Sequence, residues 1–276
     1  MSSNKVVSIE DLLEIMAMLR DAEHGCPWDR KQTFKTIAPH TLEEVYEVVD
    51  TIEQEDYSHL ANELGDLLFQ VVFYAQLGRE QGLFEFSDIV NQIGSKLLNR
   101  HPHVFPDATM ESFGAEKVMT ADQVVGKWEE IKRRERQAKS GGSASVLDDV
   151  PLAFPALTRA RKIQKRAATV GFDWPDGEGV VAKLQEEMIE LKEAVASGDE
   201  EHIQEELGDV YFSLVNLSRH LKKDPETSLR RANEKFENRF RRVEKKINAK
   251  GLDMRSMSLQ ELEQIWQEVK QEEITG

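Results

Sequence analysis

Cysteine is almost missing from this chain. Cys26 is the only one in 276 residues, so no intrachain disulfide can form, which fits a reducing compartment. Proline (8), glycine (16) and aromatic residues (7%) are also scarce, too few to punctuate a many-turned β-sheet protein. No apolar run approaches a membrane span, and the opening "MSSNKVVSIEDLLEIM" lacks the basic-then-apolar pattern of a secretory signal. The expectation is a soluble cytoplasmic protein with no membrane partner. Positive charge is in deficit, 36 basic against 51 acidic residues for a net charge of -15. That argues against binding nucleic acid or an anionic membrane through the overall field. A phosphorylated substrate would need a metal ion or a local basic patch. There is no G-x-x-x-x-G-K-[ST], no G-x-G-x-x-G, no H-E-x-x-H or E-x-x-H, and no Cys/His zinc spacing.

Helical periodicity is abundant instead. The pattern predicts a helix from Ser8, its N-cap, through "IEDLLEIMAMLRDAE", ended by Gly25 and Pro27. A second is expected over about 40–54, capped by Thr41, and a third in "DYSHLANELGDLLF" (56–69) and beyond. Ser87 is the expected cap of "DIVNQIGSKLLNR", and a helix near 121–138 follows. The Gly/Ser-rich "KSGGSASVLDDVP" then marks the best boundary. Beyond it come "ALTRARKIQKRAATVGFDWP", "VVAKLQEEMIELKEAVAS", "DEEHIQEELGDVYFSLVNLSRHL", a long helix opened by Pro225, and "SLQELEQIWQEVKQEE". No segment alternates with period two, so the fold class is all-α. The expected domains are 1–138 and 151–276, with 139–150 as linker.

The two halves repeat. "DYSHLANELGDLLF" aligns with "DEEHIQEELGDVYF" (199–212) at an offset of 143, and the same offset carries Glu43, Glu44 and Glu47 onto Glu186, Glu187 and Glu190. Each half therefore holds E-E-x-x-E and then E-x-x-D at one fixed separation, the pattern of a duplicated domain. An acidic helix face is ordinarily a solvated surface. Four carboxylates kept at one spacing in both copies weigh against that here. Glu44 and Glu47 share a helix face, as do Glu63 and Asp66, and a short connection makes the two helices antiparallel neighbours. Carboxylates facing one another in a partly dry groove repel. A hard divalent cation, Mg²⁺ or Mn²⁺, relieves that repulsion with oxygen ligands alone. His59 and His202 are expected near the helix starts, on a different face, behind the caps Asp56 and Asp199.

Positive side chains for a phosphate come from the long helix, where Arg231, Lys235, Arg239, Arg242 and Lys246 form a stripe beside apolar Ala232, Phe236, Phe240, Val243 and Ile247. Lys96 and Arg100 are a shorter counterpart. Each half ends on a Trp and a Lys four apart, Trp128 with Lys132 and Trp266 with Lys270. A tryptophan there either packs in a core or stacks on a base. A helical RNA-binding protein is a further reading of the stripe, weakened by the charge of -15.

The strings "GCPWD", "EEVYE", "ELGDLLFQVVFYA", "RHPHVF", "KIQKRAATVGFDW", "EELGDVYF", "ANEKFENRFRRVE" and "IWQEVK" resemble the MazG family of nucleoside triphosphate pyrophosphohydrolases, in its two-domain form, over nearly the whole chain. The resemblance implies helical bundles that dimerise and Mg²⁺-dependent hydrolysis of NTPs to NMP and pyrophosphate. It implies metal ligation by Glu187, Glu190, Glu206 and Asp209, with Glu186 as an outer or base residue. It implies nucleotide binding by Lys183, Glu186, Lys235, Arg239, Trp266 and Lys270. Glu44, Glu47, Glu63 and Asp66 are the second candidate set. The C-terminal half is the preferred working half, because Lys183 precedes its acidic pair where the first half has His40, and because its basic helix is uninterrupted where Pro102 follows Arg100. The alternative is a non-catalytic helical module binding a nucleotide or a partner.

Overall fold

The computed structural model describes residues 6–114, 119–140 and 145–275. Among them there is no strand: ten α-helices and three short 3₁₀ turns carry the chain. The contacts divide it into two units, with the division between Glu135 and Arg136 inside one helix.

The first unit contains α1 (Ile9–Leu19), α2 (Phe34–Glu53), α3 (Tyr57–Glu80), α4 (Phe86–Arg100) and the start of α5 (Ala121–Ser140). Ser8 and Asp11 form the reciprocal cap expected for α1, with Ser8 N donating to Asp11 Oδ2 at 2.9 Å and Asp11 N to Ser8 Oγ at 3.2 Å. α1 stops four residues earlier than predicted. The next residue, Arg20, turns its guanidinium onto both oxygens of Glu80 on α3 (2.8 and 2.6 Å). α2 starts six residues earlier than predicted, and Thr33 caps it rather than Thr41. Pro39 lies inside its second turn, where proline removes a donor and disfavours helix. The burial of Ile37 and the stacking of Phe34 on Tyr74 (6.0 Å) offset that cost. Thr41 instead meets the Tyr74 hydroxyl at 2.9 Å. Ser87 is likewise not a cap. α4 opens one residue before it, with Glu85 N donating to Asp88 Oδ2 at 2.8 Å. Met16, Ile37, Val72, Phe73 and Leu77 form the core, with α3 at its centre.

The second unit contains α6 (Ala156–Ala168), α7 (Gly177–Ser197), α8 (Glu200–His220), α9 (Pro225–Ala249) and α10 (Leu259–Thr275). α7 pairs with α8 as α2 pairs with α3, α6 packs on α8 and α9, and α10 packs on α9. The α9–α10 seam holds Val243, Ile247, Ile265 and Val269, with Trp266 packed against them. Part of the expected linker, 141–144, lies outside the described residues. Val150, at its end, is buried, and Arg166 reaches the carbonyls of Val146 and Asp148.

Candidate active site

The short turns between paired helices decide which carboxylates meet. Gln54–Asp56 connect α2 to α3, and Gly198 and Asp199 connect α7 to α8. The chain turns back so quickly that acidic positions late in one helix face acidic positions early in the next. In the second unit, oxygens of Glu187, Glu190 and Glu206 lie within 4.8 Å of one another. In the first, those of Glu44, Glu63 and Asp66 do so. Asp209 is exposed and faces the same cavity as Glu187. Glu47 lies close enough to Glu44 to repel its charge.

The electrostatics follow from that crowding. Burial pushes the Glu190 carboxyl above its ordinary range, and Glu187, Glu206 and Glu186 push it further, while the Lys183 ammonium works against them. Burial also raises Glu44, followed by repulsion from Glu47 and Asp66. Lys183 Nζ sits 2.7 Å from Glu186 Oε1 and 3.0 Å from Glu187 Oε1, and the two carboxylates hold its proton more tightly than usual. His40 matches Lys183 by position but turns to Glu43, at 3.0 Å. Glu187 is only 6% exposed, and Glu206 Oε2 is buried with no hydrogen-bond partner. An acceptor oxygen left so among converging carboxylates fits a hard cation.

His202 departs from the expectation that it faces away. Its Nε2 is 3.2 Å from Glu206 Oε1, because the two are one turn apart on α8. Asp199 does cap α8, accepting from Glu201 N and His202 N. Asp56 holds Ser58 and His59 side chains instead of capping backbone amides.

Beside the carboxylates of the second unit opens a cavity of about 710 Å³, within the usual range for small-molecule sites. Lys183, Glu187 and Asp209 form part of its lining, and Ile163, Ala167, Phe172, Trp174 and Phe212 supply apolar wall. The Trp174 indole lies over Gly179, where a β-carbon would come within 2.7 Å of the ring. That close approach explains a glycine in the first turns of α7, where it weakens the helix. Asp173, between the two aromatic residues, is clamped by the Arg219 guanidinium and by His220 Nε2 at 3.1 Å. Arg219 chiefly, with His220, holds its carboxyl down at about 2. Sequence reasoning missed Gln164, Trp174, Phe212, Ser213 and Asn216 as site residues, although "KIQKRAATVGFDW" and "EELGDVYF" contain most of them.

Of the residues expected to bind nucleotide, Lys183 lines the cavity and Glu186 pairs with it. Lys235, Arg239, Trp266 and Lys270 stand on α9 and α10 and are not part of its lining. Arg239 is held by Glu273 (2.7 Å) over the Trp266 ring (5.8 Å). Lys246 pairs with Glu272 and Glu268, and Arg242 approaches Glu273 at 3.8 Å. Three of the five stripe residues, Arg239, Arg242 and Lys246, therefore pair with carboxylates of α10. In the first unit Arg100 is bound to Glu135 through two bonds, and the Trp128 ring meets His101 edge-on.

Paired helices that face carboxylates across a short turn, twice in one chain, define an all-α protein with acidic, cation-ready clefts. The MazG nucleotide pyrophosphohydrolase domain matches the chain twice, at residues 32–105 and 176–247, and the chain belongs to that family. It is 52% identical over 270 residues to the nucleoside triphosphate pyrophosphohydrolase of Escherichia coli (strain K12), covering 96% of this chain and 98% of that one. It is 41% identical to the nucleoside triphosphate pyrophosphohydrolase/pyrophosphatase MazG of Thermotoga maritima, covering 96% of each. The Mycobacterium tuberculosis protein named nucleoside triphosphate pyrophosphohydrolase is 34% identical over 164 residues, 59% of this chain and 46% of that one.

Proposed function

We propose that this protein hydrolyses nucleoside and deoxynucleoside triphosphates to the monophosphate and pyrophosphate, and that its C-terminal unit is the working one. The observation that carries this is the cluster of Glu187, Glu190 and Glu206, with Lys183 beside it, opening onto a cavity of nucleotide size. The names of its near-full-length relatives support the same reaction. We assign the domains as 1–138 and 151–276, each a copy of the family fold.

Glu187, Glu190, Glu206 and Asp209 are the residues to hold Mg²⁺, or Mn²⁺. Held by these residues, a divalent ion would supply positive charge against the triphosphate and Lewis acidity for the attacking water. Water attacks the α-phosphorus, the bond to the bridging oxygen breaks, and pyrophosphate leaves with the electron pair. A carboxylate beside that water, with Glu186 outside the ligand set as the candidate, would take its proton. Glu186 keeps Lys183 oriented at the cavity, where its ammonium faces the phosphates. Lys235, Arg239, Trp266 and Lys270 belong to this reading through the family likeness alone.

No described helix is long and apolar enough to cross a membrane, in keeping with a cytoplasmic enzyme. Met188, Ile189, Tyr211 and Leu214 leave an exposed apolar face on α7 and α8, which suits a homodimer. The α10 carboxylates that occupy Arg239 and Lys246 speak against RNA as the partner. The deciding experiment is a product assay across NTPs and dNTPs. Monophosphate and pyrophosphate should form with Mg²⁺, and EDTA should stop the reaction. Release of inorganic phosphate would place cleavage at the γ-phosphate, and no turnover would leave a non-catalytic nucleotide- or partner-binding module.

A further inference from the structure

The 169–176 connection carries Phe172 and Trp174 to the cavity, and one carboxylate ties it down. Asp173 Oδ1 accepts from the backbone N of Trp174 at 2.9 Å and from the Arg219 guanidinium, while Oδ2 accepts from Arg219 Nη1 at 2.8 Å. Arg219 also donates to Asn216 Oδ1, through Nε at 3.0 Å and Nη2 at 2.7 Å. One planar fork thus joins the turn that bears Trp174 to the stretch of α8 that bears Asn216. All four residues line the cavity. The Arg219 side chain is 15% exposed and that of Asp173 25%, so water weakens these charge-assisted bonds less than it would at the surface.

The first unit has the same tie with the charges exchanged. Arg20, where α1 gives way to the next connection, forks onto both oxygens of Glu80 at the end of α3. A connection held to the C-terminal end of the unit's third helix is therefore common to both copies and belongs to the fold. The other donors of the two cations go to different places. Arg20 directs one onto carbonyls of its own connection, those of Asp29 and Gln32. Arg219 directs its own onto Asn216, a side chain of the cavity wall. We propose that Arg219 is a positioning residue of the C-terminal site. By gripping Asp173 and Asn216 together it sets how far the Trp174 wall stands from α8, and it acts on the reaction only through them. The proposal rests on the C-terminal unit being the site of hydrolysis.

Three variants of the full-length protein, assayed with ATP and Mg²⁺, test this. Asp173→Asn keeps the side-chain shape but removes the charge. KM for pyrophosphate release should rise on the order of tenfold, with kcat within about twofold. Arg219→Lys keeps the charge but not the fork, so the denaturant midpoint should stay near that of the wild type while KM still rises severalfold. Glu80→Gln breaks the matching tie of the first unit and should lower the midpoint while KM stays within about twofold. A role in folding alone would move midpoints without KM. Unchanged KM in Asp173→Asn and Arg219→Lys, or an equal rise in Glu80→Gln, overturns the proposal. A second measurement needs neither substrate nor metal. Acrylamide should quench tryptophan fluorescence more steeply in Asp173→Asn than in the wild type, and Trp174→Phe introduced into both should remove that difference. If no difference is seen, the clamp does not hold the indole and the proposal falls. Steeper quenching beside an unmoved KM sinks it too, since the indole then does not shape the working site. A wild type that releases no pyrophosphate would sink the proposed reaction instead, and calorimetric affinity for ATP would then decide the clamp in place of KM.

Discussion

Phe73 is fully buried in the core of the first unit, against Met16, Ile37, Val72 and Leu77. The residue 143 positions later is Asn216, which lines the cavity of the second unit and accepts from Arg219. Three residues before each stand Gln70 and Ser213. Gln70 sends its amide towards Glu44 at 3.4 Å, whereas Ser213 lies in the cavity lining. Duplication kept the carboxylates and let the ground beside them diverge. One copy filled that ground with an aromatic core, and the other left room beside its acids. On the proposed reading, the neighbouring volume and not the carboxylate cluster alone decides which copy takes the nucleotide.

The largest effect should come from the acids themselves. Glu187→Ala removes a ligand position from the cavity-bearing cluster and should lower kcat for pyrophosphate release by a factor of a hundred or more, on the order of 3 kcal/mol or greater in barrier. Glu44→Ala, the matching change, should leave turnover within about twofold. Loss of activity in Glu44→Ala with retention in Glu187→Ala would reverse the assignment of the two units.

Next comes the exchange of core for cavity. Phe73→Ala empties a fully buried ring site and should cost roughly 3–5 kcal/mol of first-unit stability, read as a lower denaturant midpoint with pyrophosphate release retained. Asn216→Phe imports the aromatic residue of the first unit into the cavity. It should raise KM more than tenfold, about 1.4 kcal/mol or more, with little change in the midpoint. If Asn216→Phe instead unfolds the second unit while nucleotide still binds, the cavity is a packing feature and not the site.

The same contrast explains how far the sequence could be read. Helices, the repeat and the carboxylate sets were legible, because periodicity of 3.6 and an ungapped match carry that information locally. The start of α2 was not, because Pro39 speaks locally against a helix that Ile37 and Phe34 secure by tertiary packing. The His202–Glu206 contact required only the i, i+4 rule. The cavity was illegible for a different reason. Gln164, Trp174 and Asn216 come from α6, from the loop before α7 and from α8, and nothing in their spacing says that they enclose a space. The mismatch of Phe73 with Asn216 in the aligned halves was a usable signal, since a core aromatic facing an amide implies different surroundings.

The smallest test concerns the turns that bring the acids together. Both copies turn through a left-handed residue at matching positions, Glu55 at φ 57° and Gly198 at φ 73°. Glycine adopts that conformation freely, and a side chain pays roughly 1–2 kcal/mol for it. The first unit therefore keeps a strained version of a turn that the second has relaxed. Glu55→Gly should stabilise the first unit by up to about 1 kcal/mol, less the entropy glycine returns to the unfolded chain. Gly198→Ala should destabilise the second by about 1 kcal/mol. Because Gly198 and Asp199 set how α8 returns along α7, this variant should also raise KM slightly through Glu187, Glu190 and Glu206, while Glu55→Gly leaves the kinetics alone. Denaturant midpoints for both variants and KM for one NTP separate the outcomes. Equal kinetic effects from the two turns would mean that the units share the work of catalysis.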